Sequence, residues 1–280
     1  MWANFHTHCD YCDGKGPIQA FVDEANQLGM MSLGFSSHAP VPFDTKWCMK
    51  QERFDEYTRE IQTLKQNVSL DLYTGLEVDF IPNVTSPDRF RNVDYTIGSI
   101  HFVEQLPDGR HWEIDGAHAP FLEGLKEIFN NNIQAAIVRY FELTREMVST
   151  ACPTVIGHLD KIKIQNIDGK FFSESESWYQ DEIKKTIDLI SETGAIVEVN
   201  TRGIYQNKSE TTYPSPWILS YLLKKNVPVT ISSDAHHPKD LVNRFSETAN
   251  ILRNIGFEKL SILSEGKWQP FSFNEHGVTR

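Results

Sequence analysis

The residues best equipped for chemistry lie near the two ends of the chain. Close to the start, Asn4-Phe5-His6-Thr7-His8 sets two imidazoles one residue apart. On an extended strand alternate side chains share a face, so His6 and His8 point the same way. Close to the other end, Val229-Thr230-Ile231-Ser232-Ser233 reads as a buried strand that runs into Asp234-Ala235-His236, again two ligand-type side chains with one residue between them. Imidazoles with carboxylates are the ligands that zinc, manganese and iron accept. Asp13, His38, Glu77, His101 and His158 bring the set of such side chains to nine. One ion takes about three or four protein ligands, so nine suit two or three divalent transition-metal ions that share a carboxylate such as Glu77. Ions about 3.5–4 Å apart can clamp both the attacking and the departing oxygen of an in-line displacement at phosphorus. Phosphoryl transfer is therefore the chemistry that this set fits best.

Residues so far apart in sequence must be carried to one point by regular elements. Pro17 opens a helix whose Ile18, Phe21, Val22, Ala25 and Leu28 fall at helical spacing, and Gly29 closes it. Short apolar strands are expected at 31–35, 70–76, 93–100, 154–157 and 195–199, besides the two already described. Helices are expected at 52–66, 121–129, 133–148, 181–192, 215–225 and 241–255. Gly98 and Ser99 are small enough to let a neighbour pack close to the fourth strand. The stretch 102–120 reads as a long charged loop, of the kind that covers a site. Seven strands alternating with helices predict a parallel α/β barrel of TIM type. In strand order the residues just beyond each strand are His6/His8, His38, Glu77, His101, His158, Asn200/Arg202 and Asp234/His236. Barrel active sites occupy that rim. Six of the ten histidines lie there, while His111, His118, His237 and His276 fall in loops or the tail.

A chain of 280 residues is long enough for one such barrel, and a single domain over 1–280 is expected. Lys and Arg total 27 against 38 for Asp and Glu, a net charge of −11, which speaks against a broad grip on nucleic acid. It does not exclude a small anion, because clustered cations reverse the field inside one pocket. No signal-peptide pattern or membrane-length apolar run is present, so a cytoplasmic protein without a membrane partner is expected. The four cysteines, Cys9, Cys12, Cys48 and Cys152, are too few for a disulfide scaffold and are expected as thiols.

The motifs also resemble a known family. His6-Thr7-His8 with Asp13, Ser36-Ser37-His38, Glu77, Gly98-Ser99-Ile100-His101, Gly157-His158 and Ser233-Asp234-Ala235-His236 resemble the polymerase-and-histidinol-phosphatase (PHP) superfamily along nearly the whole chain. Within it the resemblance is strongest to the histidinol-phosphate phosphatases, through Gly-Ser-Ile-His-Phe, Gly-His-Leu-Asp-Lys and Glu-Val-Asn-Thr. The resemblance implies a distorted seven-stranded barrel with three metals. Carried onto this chain, the first ion would take His6, His8, Glu77 and Asp234, the second Glu77, His101 and His158, and the third Asp13, His38 and His236. Asp13 stands where many members have a histidine, and a carboxylate is a chemically sound substitute.

The expected reaction is hydrolysis of a phosphate monoester, L-histidinol phosphate, by a metal-bridging hydroxide, with no side-chain nucleophile. Asp234 or His236 would protonate the leaving oxygen. Arg202 is the leading phosphate ligand, since guanidinium pairs with phosphate through a fork of donors, and Lys161 is the second. The substrate's ammonium and imidazole call for acidic groups and an aromatic wall, which 42–47 and 104–115 can supply. The alternatives are another phosphoesterase of the superfamily acting on nucleotides or other small esters, an amidohydrolase-type metalloenzyme, and a non-catalytic metal-binding barrel. The sequence leaves the oligomeric state open.

Overall fold

A computed structural model describes residues 1–279. In chain order the strands are β1 (Ala3–Asn4), β2 (Ser32–Phe35), β3 (Asp71–Asp79), β4 (Tyr95–Ser99), β5 (Phe102–Gln105), β6 (His111–Glu113), β7 (Val155–Ile156), β8 (Ile196–Asn200), β9 (Val229–Ser232), β10 (Lys259–Ser264), β11 (Lys267–Asn274) and β12 (Gly277–Thr279). The helices are α1 (Ile18–Gln27), α2 (Phe54–Lys65), α3 (His118–Phe129), α4 (Ile133–Thr150), α5 (Ser177–Ser191), α6 (Arg202–Tyr205), α7 (Pro216–Lys224) and α8 (Phe245–Ile255). Seven strands pair in the parallel order β1-β2-β3-β4-β7-β8-β9. A parallel bridge between Thr7 and Ala235 then joins the two edges, with His8 N–H donating to Ala235 O (2.8 Å) and Ala235 N–H to His6 O (3.1 Å). The ring is thus tied together between the two His- and Asp-bearing segments.

The apolar periodicity acts as expected in α1, which buries Ile18, Phe21, Val22 and Ala25. Leu28, placed on that face by spacing, lies beyond the last helical residue and is exposed. Inside the barrel, Tyr95 donates its hydroxyl to Phe5 O (2.6 Å). Its side chain fills room that only glycine leaves, since a Cβ at Gly34 would stand 2.3 Å from the hydroxyl oxygen and one at Gly75 2.3 Å from the ring. Gly98 faces Met147 of α4 and Pro153, so the small residues of β4 do admit close packing.

Two regions differ from expectation. The stretch 102–120 is not a plain loop, because β5 and β6 form an antiparallel hairpin and α3 begins at His118. The turn Leu106-Pro107-Asp108-Gly109 between two short alternating runs is the signal for that hairpin. The tail is likewise a three-stranded antiparallel sheet, β10-β11-β12. It packs Trp268 against Phe5 (4.9 Å between ring centres) and Tyr95 (6.0 Å). Among the described residues no helix is long and apolar enough to cross a membrane. All four cysteines are free thiols.

Candidate metal centre

The site is built outward from one carboxylate. Glu77 projects inward from the end of β3 and is 1 % exposed. Its Oε2 lies 3.1 Å from His6 Nε2, 3.4 Å from His8 Nε2 and 3.0 Å from His38 Nδ1. Its Oε1 lies 2.8 Å from His158 Nε2 and 3.5 Å from His101 Nε2, and accepts from Ser99 Oγ (2.7 Å). Five imidazoles from four strand ends therefore surround one buried acid. Asp234 adds Oδ1 at 3.3 Å from His8 Nε2, and Asp13 adds Oδ1 at 3.1 Å from His236 Nε2.

Each of three imidazoles is oriented from behind. His6 Nδ1 lies 2.5 Å from Glu198 Oε1, His101 Nδ1 3.0 Å from Asp79 Oδ1, and His8 Nδ1 3.5 Å from Cys12 Sγ. A partner on one ring nitrogen fixes the tautomer and aims the other nitrogen, the arrangement usual behind a metal-binding histidine. Glu198 also accepts from the His158 backbone N–H (2.7 Å) and from Ser232 Oγ.

Electrostatics tests whether cations fit. Glu77, Asp79, Glu198 and Asp234 are buried within a few residues of one another in space, and buried carboxylates need positive charge nearby. Burial opposes protonating His6, yet Glu198, Glu77 and Asp234 hold its pKa well above the ordinary value. His101 follows the same pattern: burial is outweighed by Asp79, Glu77 and Asp115, and its pKa rises to about 9. Burial pushes His38 down to about 4, and burial with the neighbouring His236 and His38 pushes His8 down. The carboxylates of Glu77 and Asp234 are held well below their usual range, against the effect of burial, chiefly by His6. The field is thus strongly cation-seeking. His6 Nε2, His8 Nε2, His38 Nδ1 and Asp13 Oδ1 are buried without hydrogen-bond partners among the described residues. Their donor atoms converge in three overlapping groups: His8/Asp13/His38/His236, His6/His8/Glu77 and His38/Glu77/His101, each with its atoms within 4.8 Å of one another. The residues present fit divalent metal ions.

All nine sequence-derived ligand candidates gather here. His38 shares a donor group with Glu77 and His101, and His158 Nε2 meets the same Glu77 oxygen as His101. Arg202, at the start of α6, donates Nη1 to Asp234 O (2.6 Å) and His236 Nδ1 (2.7 Å), while its Nε and Nη2 take no partner among the described residues. Lys161 is buried, 3.0 Å from Asp115 Oδ2 and 3.5 Å from His101 Nε2. Both line a cavity of about 180 Å³ with Asp13, His38, His101 and Asp234. Glu198 and Asp79 escaped the sequence reading as site residues, and Asp115 entered it only as part of the stretch 104–115. A signal was present for the first two: Glu198 interrupts the apolar run Ile196 to Val199, and Asp79 shares the face of Glu77 by strand alternation.

Comparison with known proteins agrees with this geometry. The PHP domain model matches residues 4–202. A probable histidinol-phosphatase of Schizosaccharomyces pombe is 26% identical, covering 93% of this chain and 89% of its own. The histidinol-phosphatase of Bacillus subtilis is 24% identical, over 84% of this chain and 94% of its own. Among solved structures, a histidinol phosphate phosphatase from Lactococcus lactis, complexed with zinc, L-histidinol and phosphate, superposes with a TM-score of 0.68 at 16% identity, over 100% of this chain and 99% of that one. A structure described as the "putative histidinol phosphatase" of Listeria monocytogenes gives 0.74 at 20% identity, over 88% and 99%.

Proposed function

The chain belongs to the PHP domain family, and from that premise we propose that it hydrolyses L-histidinol phosphate to L-histidinol and inorganic phosphate. The relatives that align along most of the chain are named for that activity. The observation that carries the reading is the joint placement of a cation-seeking donor cluster with Arg202 and Lys161 on one small cavity.

Two or three divalent ions are proposed at the cluster, shared among His6, His8, Asp13, His38, Glu77, His101, His158, Asp234 and His236. When bound, such ions neutralise phosphoryl oxygens and acidify water. The remaining work falls to side chains. Arg202 offers two uncommitted guanidinium nitrogens, a forked donor matched to phosphate. Burial opposes the Lys161 ammonium, but Asp115, Asp234 and Glu77 raise its pKa and keep it charged beside the cavity. Asp234 is held ionised by His6 and Arg202, so it stays an anionic ligand and does not supply the proton. Because Arg202 donates into His236 Nδ1, the His236 proton sits on Nε2, so His236 is the proposed donor to the leaving oxygen. Nε2 also faces Asp13, so protonation and ligation by His236 are alternative states of one atom.

Phosphate release from histidinol phosphate, a nucleoside monophosphate and an aryl phosphate tests the proposal. A strong preference for the first is expected, and equal or better use of the nucleotide would overturn the substrate assignment. His236→Asn should slow histidinol phosphate, an alkyl ester, more than the aryl ester, whose leaving group needs no proton; equal losses would remove His236 as the donor.

A further inference from the structure

The cavity that holds the donor cluster also carries a carboxylate without a cation. Four acidic side chains line it: Asp13, Glu113, Asp115 and Asp234. Three are committed: Asp13 to His236, Asp115 to the Lys161 ammonium and Asp234 to His8. Glu113 is different. Among the described residues it has no ion pair and belongs to none of the groups that could hold a metal ion. Its single hydrogen bond comes from Trp47 Nε1–H to Oε1 (3.2 Å), which leaves Oε2 free.

That free oxygen is held in place. The Trp47 ring stacks on Phe102 (5.4 Å, 14°) and meets the edge of His38 (4.5 Å), so the indole N–H that grips Glu113 is itself fixed. Phe102 also pairs with Glu113 across the hairpin. The residues that follow are pinned, since Ile114 N–H donates to His101 O (3.0 Å) and Gln165 Nε2 donates to Ile114 O (3.1 Å) and Gly116 O (3.0 Å). Gly116 keeps the space open, because a Cβ there would stand 3.1 Å from Glu113 Oε2. A fixed, half-buried carboxylate with an open lone pair, on the same cavity as two phosphate-type cations, is matched to a molecule with an anion at one end and a cation at the other.

We propose that Glu113 is the specificity-determining residue of this site, receiving the ammonium group of an amino-alcohol phosphate ester, with Trp47 as the residue that positions its carboxylate. The inference rests on the substrate reading above and names which side chain reads the amine.

The test compares kcat/KM for histidinol phosphate with that for the imidazolylpropyl phosphate that lacks the amine. The wild-type enzyme should prefer the amine-bearing ester. In Glu113→Gln that preference should fall about 10- to 100-fold, chiefly through KM, the scale of one hydrogen bond between charged groups. Trp47→Phe removes the indole N–H and should lower the same ratio by a smaller factor; it carries the test if Glu113→Gln does not fold. A wild-type enzyme that uses both esters equally, or a preference that survives the substitution, overturns the role of Glu113 and leaves the proposed substrate standing. Absence of any wild-type activity on histidinol phosphate removes the substrate reading, and this inference with it.

Discussion

At Glu198 a single buried side chain reaches His6 Nδ1, the His158 backbone and Ser232 at once. It does not line the cavity itself and acts through the groups that it holds, the His6 imidazole and the Asn200 amide, whose Nδ2 donates to its Oε2 (3.2 Å). Glu198→Gln keeps the shape and removes the charge. It should weaken metal retention about 10- to 100-fold, read by competition with a chelator of known affinity, and activity should recover at high metal concentration. Unaltered retention would reduce Glu198 to a packing residue. Arg202 acts more directly. Truncating one partner of a buried charged contact costs about 2–5 kcal/mol, so Arg202→Ala should lower kcat/KM by that amount. Arg202→Lys should restore only part, because an ammonium lacks the fork. A wild-type kcat/KM in Arg202→Ala would take it out of the site.

At the scale of elements, the hairpin of β5 and β6 governs the side of the cavity away from the barrel wall. Its Trp112 is buried against α3, donating Nε1–H to Phe121 O (3.2 Å). A Cβ at Gly124 would stand 2.1 Å from the Trp112 ring. Gly124→Ala must therefore displace Trp112, and with it the neighbouring Glu113. Overpacking of this kind costs about 1–3 kcal/mol, so the melting temperature should fall and KM for histidinol phosphate should rise with it. A lower melting temperature with unchanged KM would show that the hairpin can shift without disturbing the cavity. The hairpin was readable only in part: the Pro-Asp-Gly turn is present, but two strands of three and four residues give too short an alternation to separate from a charged loop.

For the molecule as a whole, a barrel whose rim gathers buried carboxylates and imidazoles should be less stable without cations. A ligand that binds only the folded state stabilises by about 2.7 kcal/mol at a concentration of 100 Kd. Chelation should lower the melting temperature and abolish phosphate release, and zinc or manganese should restore both. Full phosphatase activity in metal-free protein would end the proposed mechanism.

The sequence by itself determined the alternation of strands and helices, because burial on both faces of a parallel strand leaves an unbroken apolar run whatever the neighbours are. It also placed His6, His8, His38, Glu77, His101, His158, Asp234 and His236 near strand ends, since each lies within a few residues of the close of such a run. Distance was beyond its reach. That Glu77 stands at the hub, that His38 shares a donor group with His101, and that Asp13, Asp115 and Asp234 have ion-pair partners while Glu113 has none among the described residues were decided only by the tertiary structure. The reason is physical: a charged side chain is defined by what surrounds it, and here its surroundings come from strands more than a hundred residues apart.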